Sequence, residues 1–105
     1  MFGMRVEDEF RARAIVRGSI MFLKPADAIE LVRRCKERGL VVFGVDGFRI
    51  TETTVQPLLD EIFDCQLEDD RNRDRCWEYV EAFLKQRMKT DLYFEVAYDD
   101  TRDTS

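Results

Sequence analysis

The chain reads as a small α+β domain in which an antiparallel sheet of about three strands packs against helices, in the order helix, strand, strand, helix, helix, strand. Three observations predict this. A helix is bounded by Lys24-Pro25 and Gly39; an apolar, β-rich run follows from Leu40 and meets Asp46-Gly47; and Leu92 to Tyr98 alternates cleanly between apolar and polar positions. With 105 residues, one core burying ~65% of the surface of the unfolded chain is expected, without need of staples. The single domain is expected from Met21 to Tyr98, preceded by an extension from Met1 to Ile20 and followed by a fraying tail from Asp99 to Ser105.

Taken in order, Met1 to Ile20 fits two periods. Val6, Phe10 and Ala14 suit a helix, whereas Phe10, Ala12, Ala14 and Val16 suit a strand between arginines; the balance leans to helix. The next segment is better marked. Pro25 suits the first helical position, Asp27 and Glu30 put negative charge at the positive end of the dipole, and Arg33, Arg34, Lys36 and Arg38 load the last turns before Gly39. Ala28, Ile29, Val32 and Cys35 form its apolar side.

Leu40 to Val45 then predicts a buried strand, Asp46-Gly47 a type I′ turn, and Phe48 to Glu52 an antiparallel return. Thr53 or Thr54 can cap a second helix, because Val55, Leu58, Leu59, Ile62, Phe63 and Gln66 follow helical spacing and Pro57 falls in the first turn. Leu67 to Arg75 is a polar connector. A third helix carries Cys76, Trp77, Val80, Phe83, Leu84 and Met88 on one side, and spacing assigns Trp77 to packing rather than to an interface. In the last strand Leu92, Phe94, Val96 and Tyr98 face one way, and Tyr93, Glu95 and Ala97 the other.

Charge is unevenly placed. The net charge is −5, and the stretch from Asp60 to Asp74 alone sets seven carboxylates (Asp60, Glu61, Asp64, Glu68, Asp69, Asp70, Asp74) against Arg71 and Arg73. Nucleic-acid binding needs a basic stripe to displace counterions, so direct nucleic-acid binding is not expected and a basic protein partner fits better. The plainer alternative is an acidic edge that serves solubility alone. No apolar run approaches the ~20 residues of a membrane span, and no continuous apolar stretch at the start resembles a signal peptide, so a cytoplasmic protein is expected. Cys35, Cys65 and Cys76, odd in number, are expected as buried free thiols.

An enzyme is not expected. The chain has no histidine, which removes the usual general base and the commonest zinc ligand, and no glycine-rich phosphate loop is present. Asp70-x-Asn72-x-Asp74 with Glu81 imitates a calcium loop, but Arg75 stands where that loop needs glycine and arginines separate the ligands. No metal or cofactor is therefore expected.

Met21-Phe-Leu-Lys-Pro-Ala-Asp-Ala-Ile-Glu30, followed by Gly39-Leu40 and by Gly44-Val-Asp46-Gly47 with Phe48-Arg49-Ile50, resembles the bacteriocin immunity family, in particular the immunity proteins against the colicin that cleaves tRNA anticodon loops. The resemblance covers about thirty residues. It departs from the family pattern where Asp46-Gly47 abuts Phe48-Arg49-Ile50. It implies a bacterial protein that binds and neutralises a basic cytotoxic nuclease. The acidic stretch, with Asp46 and Arg49 on the hairpin, is the candidate binding surface, although turn chemistry by itself accounts for Asp46. The alternative is a non-catalytic structural or regulatory module that forms a homodimer through the outer edge of the Leu92 to Tyr98 strand.

Overall fold

The computed structural model describes residues 5–65 and 75–99. Its elements are α1 (Val6–Phe10), a 3-10 turn (Arg11–Arg13), β1 (Ile15–Arg17), β2 (Ile20–Phe22), α2 (Pro25–Glu37), β3 (Val42–Ile50), β4 (Val55–Asp64), α3 (Cys76–Lys85) and β5 (Tyr93–Tyr98). The fold is α+β: β1 and β2 form an antiparallel hairpin, and a separate antiparallel sheet has the order β4-β3-β5. Among the described residues no helix is long and apolar enough to cross a membrane.

The expected α2 is present. Pro25 occupies its first turn, Ala28, Ile29, Val32 and Cys35 are buried, and Gly39 follows with a positive φ of 72°, the left-handed position that ends a helix. The N-terminal segment combines the two periods weighed for it. Val6 and Phe10 form one helical turn-and-a-half buried in the main core, and Ile15 to Arg17 is a strand. Arg38 and Arg34 reach Glu9, and Arg13 pairs with Asp27 and Glu30, so ion pairs run from this segment to α2.

The central hairpin departs from expectation. Asp46-Gly47 is not a turn: β3 runs through it to Ile50, and Gly47 does not have a positive φ. Its glycine answers a different need, because a Cβ there would lie 2.6 Å from the Glu61 Cβ and 3.0 Å from Phe94 Cε1. The turn lies at Thr51 to Thr54, where the Thr51 N–H donates to the Thr54 carbonyl at 2.9 Å and the Thr54 N–H donates to the Thr51 hydroxyl at 3.0 Å, local bonds that threonine supplies readily. Phe48 to Ile50 thus continues the first strand and does not return.

The helix expected from Val55 is instead strand β4. Its register to β3 explains the misreading: Gly47 faces Leu58, yet the next residue, Asp46, faces Ile62. Extra residues bulge out between them, so the inward residues Leu58, Glu61 and Phe63 recur at irregular, helix-like intervals. Pro57 is compatible with an edge strand. The Thr51–Thr54 pair sets the ladder's phase, and by alternation Pro57, opposite Phe48, turns its nitrogen away from β3.

α3 and β5 follow expectation. Val80 and Leu84 are buried, Phe94 and Val96 face the core, and the half-buried Trp77 indole donates to the Leu40 carbonyl at 2.8 Å. The thiol expectation is corrected in part: Cys65 and Cys76 form a disulfide across 6.0 Å between Cα atoms, joining the end of β4 to the start of α3, and Cys35 is a buried thiol outside the disulfide. Helices α2 and α3 cover one face of the β4-β3-β5 sheet. The core there includes Val45, Phe94, Val96, Val32, Val80 and Leu84.

Candidate functional site

Among the described residues, the opposite face of the sheet carries no helix. The register assigns its residues, because directly paired residues of neighbouring strands share a face. Tyr93, Phe48 and Pro57 form one row; Glu95, Asp46 and Ile62 the next; Ala97, Gly44 and Asp64 the last. At the aromatic end Phe22, from β2, meets Phe48 edge-on with ring centroids 4.8 Å apart. The other end is acidic.

There Asp46 and Glu95 stand directly across from each other, with Asp64 one diagonal away. Like charges facing across a ladder repel. Both groups are half-buried, and neither has an ion-pair partner among the described residues. Their carboxyls titrate above the ordinary range: burial is the larger cause for each, and the second is Asp64 for Asp46 and Asp46 for Glu95. The backbone brings β4 unusually close here, since a Cβ on Gly44 would lie 2.4 Å from the Phe63 carbonyl oxygen. A shallow depression of about 160 Å³ beside Gly44, Asp46 and Asp64 marks the place.

The remaining expected site residues are dispersed. Asp60 is exposed on the β4 bulge beside Leu59, which is 84% exposed. Glu61 turns to the helix-covered side and pairs with Arg87, whose guanidinium lies 3.6 Å from the Phe83 ring centroid and also donates to the Phe83 carbonyl. Arg49 is exposed opposite Gln56, near the Thr51–Thr54 turn and away from the acidic rows. Glu68, Asp69, Asp70 and Asp74 lie outside the described residues, as do three of the four acidic or amide positions of the calcium-like pattern. Its last member, Glu81, is on α3, where Arg33 and Lys85 hold it; the Arg33 hydrogen bond, ahead of the others, lowers its carboxyl to about 2.

Glu95 is the site residue that sequence reasoning did not single out. Alternation placed it on the outward side of its strand, but nothing in the sequence aligns it with Asp46; only the β3–β5 register does. Chemically, the set can accept cations and hydrogen-bond donors. The described residues contain no group of three or more histidine, cysteine or carboxylate side chains placed to hold a metal ion. No family model matches the chain, and no curated protein or solved structure matches it.

Proposed function

We propose that this protein is an immunity-type inhibitor that binds a basic cytotoxic nuclease and blocks its RNA- or DNA-gripping surface. The observation that carries the proposal is the uncovered sheet face, on which Asp46, Glu95 and Asp64 lie together while Asp46 and Glu95 lack ion-pair partners among the described residues. A nuclease surface is rich in lysine and arginine, and a fixed acidic face imitates the phosphates it binds. Such complementarity raises association rates and supplies specificity. The apolar Ile62 beside Asp46 enlarges the same face, and Asp60 is exposed on the neighbouring β4 bulge. The resemblance of Met21 to Ile50 to the immunity family supports the same reading, and a bacterial origin would follow from it.

The direct test is copurification with the product of the adjacent gene, followed by a nuclease assay with and without this chain. Inhibition that weakens at least tenfold in an Asp60→Asn/Asp64→Asn variant and with rising salt is the expected result. A neighbour that lacks nuclease activity, or inhibition indifferent to both changes, sinks the proposal. A second reading, self-association, draws on the exposed apolar side chains Leu59 and Ile62 of edge strand β4. Sedimentation that yields a concentration-dependent dimer, with no binding to the neighbouring gene product, would favour it.

A further inference from the structure

We propose that the slot between β2 and the outer edge of β5 binds an extended peptide segment, which adds as a strand to β5 and sets a lysine or arginine beside Glu95. The slot arises from a pairing that starts and stops. Leu23 and Phe94 exchange both backbone hydrogen bonds, Leu23 N–H to the Phe94 carbonyl at 2.8 Å and Phe94 N–H to the Leu23 carbonyl at 2.7 Å. Continued in the same antiparallel register, Met21 would meet Val96 and Ser19 would meet Tyr98. Leu23–Phe94 is nevertheless an isolated bridge. Ser19, Met21, Val96 and Tyr98 instead line the two sides of a cleft of about 240 Å³.

Alternation along β5 fixes what the free edge offers. Phe94 directs its N–H and carbonyl outward to Leu23, so Val96, two residues on, directs its own outward into the cleft. No backbone bond from β2 reaches Val96 among the described residues. An added strand would satisfy that donor and acceptor, the usual source of affinity in strand addition.

The lining specifies the occupant's side chains. Toward the core the cleft is walled by Leu23, Leu31 and Val96, which suits apolar residues; toward the open face it presents Glu95. Its other carboxylate, Glu7, already pairs with Arg11. Glu95 is left facing Asp46 across the ladder, so a cation opposite Glu95 replaces a repulsion with an attraction. Because faces alternate along a strand, the matching segment alternates apolar and cationic residues. A second copy of this chain is a poor occupant: its own β5 would carry another Glu95 to the same acidic face.

The inference shares Glu95 with the inhibitor reading but rests on the free edge of β5 beside Met21 and Val96, so the cross-link and the Val96 amide test it apart from that reading. The test is an NMR titration of the full chain with capped Val-Lys-Val-Lys-Val peptide, with Val-Glu-Val-Glu-Val as control. Amide shifts confined to Ser19–Leu23 and Tyr93–Tyr98 are expected, with no response to the acidic control. Glu95→Gln should weaken binding about three- to fivefold, the reach of one cross-strand charge pair. A Met21→Cys/Val96→Cys cross-link that closes the slot should abolish binding, while the untreated double variant still binds. In the free chain the Val96 amide should exchange with solvent much faster than that of Phe94. Equal binding of the acidic peptide, shifts elsewhere on the surface, binding that survives the cross-link, or a Val96 amide as protected as Phe94 would overturn it.

Discussion

Two faces of one sheet treat their carboxylates differently. On the helix-covered face Glu61 has Arg87, itself stacked on Phe83 and bonded to the Phe83 carbonyl. On the open face Asp46 and Glu95, of similar burial, have each other. The strand β3 supplies both faces from successive residues, Val45 and Gly47 to one side, Asp46 and Phe48 to the other. On the covered face the carboxylate comes with its counter-ion; on the open face two carboxylates face each other at some cost in stability, and the proposed binding surface draws on that difference.

The sharpest way to break this contrast is to truncate one apolar residue on each face. Phe94, on β5, is fully buried, meets the Phe83 ring edge-on and is bridged to Leu23, and Phe94→Ala should cost about 3–5 kcal/mol. Ile62, 41% exposed on the open face, should cost less than about 1 kcal/mol as Ile62→Ala, because its atoms are already largely in water. Urea denaturation reads both. Comparable losses would mean that the open face is covered in solution, and the functional reading would lose its basis.

The disulfide sharpens the comparison next. It ties β4 to α3 across a sequence separation of 11, which corresponds to about 3 kcal/mol by the loop-closure argument. A Cys65→Ser/Cys76→Ser variant should melt lower by that margin, and mass spectrometry after denaturing alkylation should find one free thiol in the wild type. Three labelled thiols in oxidised wild-type protein would show the link to be absent.

Exchanging charge for amide on each face should give effects of opposite sign. Glu61→Gln leaves a guanidinium, 20% exposed, without its counter-ion, at a cost of about 1–3 kcal/mol. Asp46→Asn removes a repulsion and should stabilise by a few tenths to about 1 kcal/mol. Destabilisation by both would imply that Asp46 holds a structural partner.

The elements with strong end signals were legible in the sequence: Pro25 and Gly39 bounded a helix, and the alternation of Leu92 to Tyr98 gave a strand with the right faces. The β3–β4 hairpin was not, for two physical reasons. Asp46-Gly47 carries the chemistry of a turn, but Gly47 is there because Glu61 and Phe94 leave no room for a Cβ. In β4 the bulge between Leu58 and Ile62 destroys the period of two on which strand recognition depends. The candidate site suffered accordingly. Asp64 belongs to the acidic stretch and Asp46 to the expected hairpin, whereas Glu95 joins them only through the register, a non-local fact that no window of sequence contains. Glu61, named with the same charge run, faces the other way.

The smallest expected effect distinguishes the faces by pH. Glu81, on α3 against α2, is lowered to about 2 from an ordinary 4.5 by Arg33 first and Lys85 after it. It therefore contributes stability above pH ~4.5 that is lost as pH falls toward 2, worth about 1 kcal/mol or less because Arg33 is 55% exposed and screened. Asp46 and Glu95 act in the opposite sense. Their folded-state carboxyls titrate above the ordinary 3.8 and 4.5, so the folded chain binds protons that the unfolded chain has released, and stability falls as pH rises through that window. The penalty is fully present above the raised values and vanishes below the ordinary ones. An Asp46→Asn/Glu95→Gln variant lacks it altogether. The variant should be more stable than the wild type at pH 7, by about 1 kcal/mol, and the gap should close as pH falls toward 4. A Glu81→Gln variant should be less stable at pH 7, with a gap that closes only at lower pH. Paired denaturation curves between pH 3 and 8 measure both. A cationic partner on the open face should hold Asp46 and Glu95 ionised and remove the wild type's sensitivity, so the same titration repeated in the complex asks whether that face is where the partner sits.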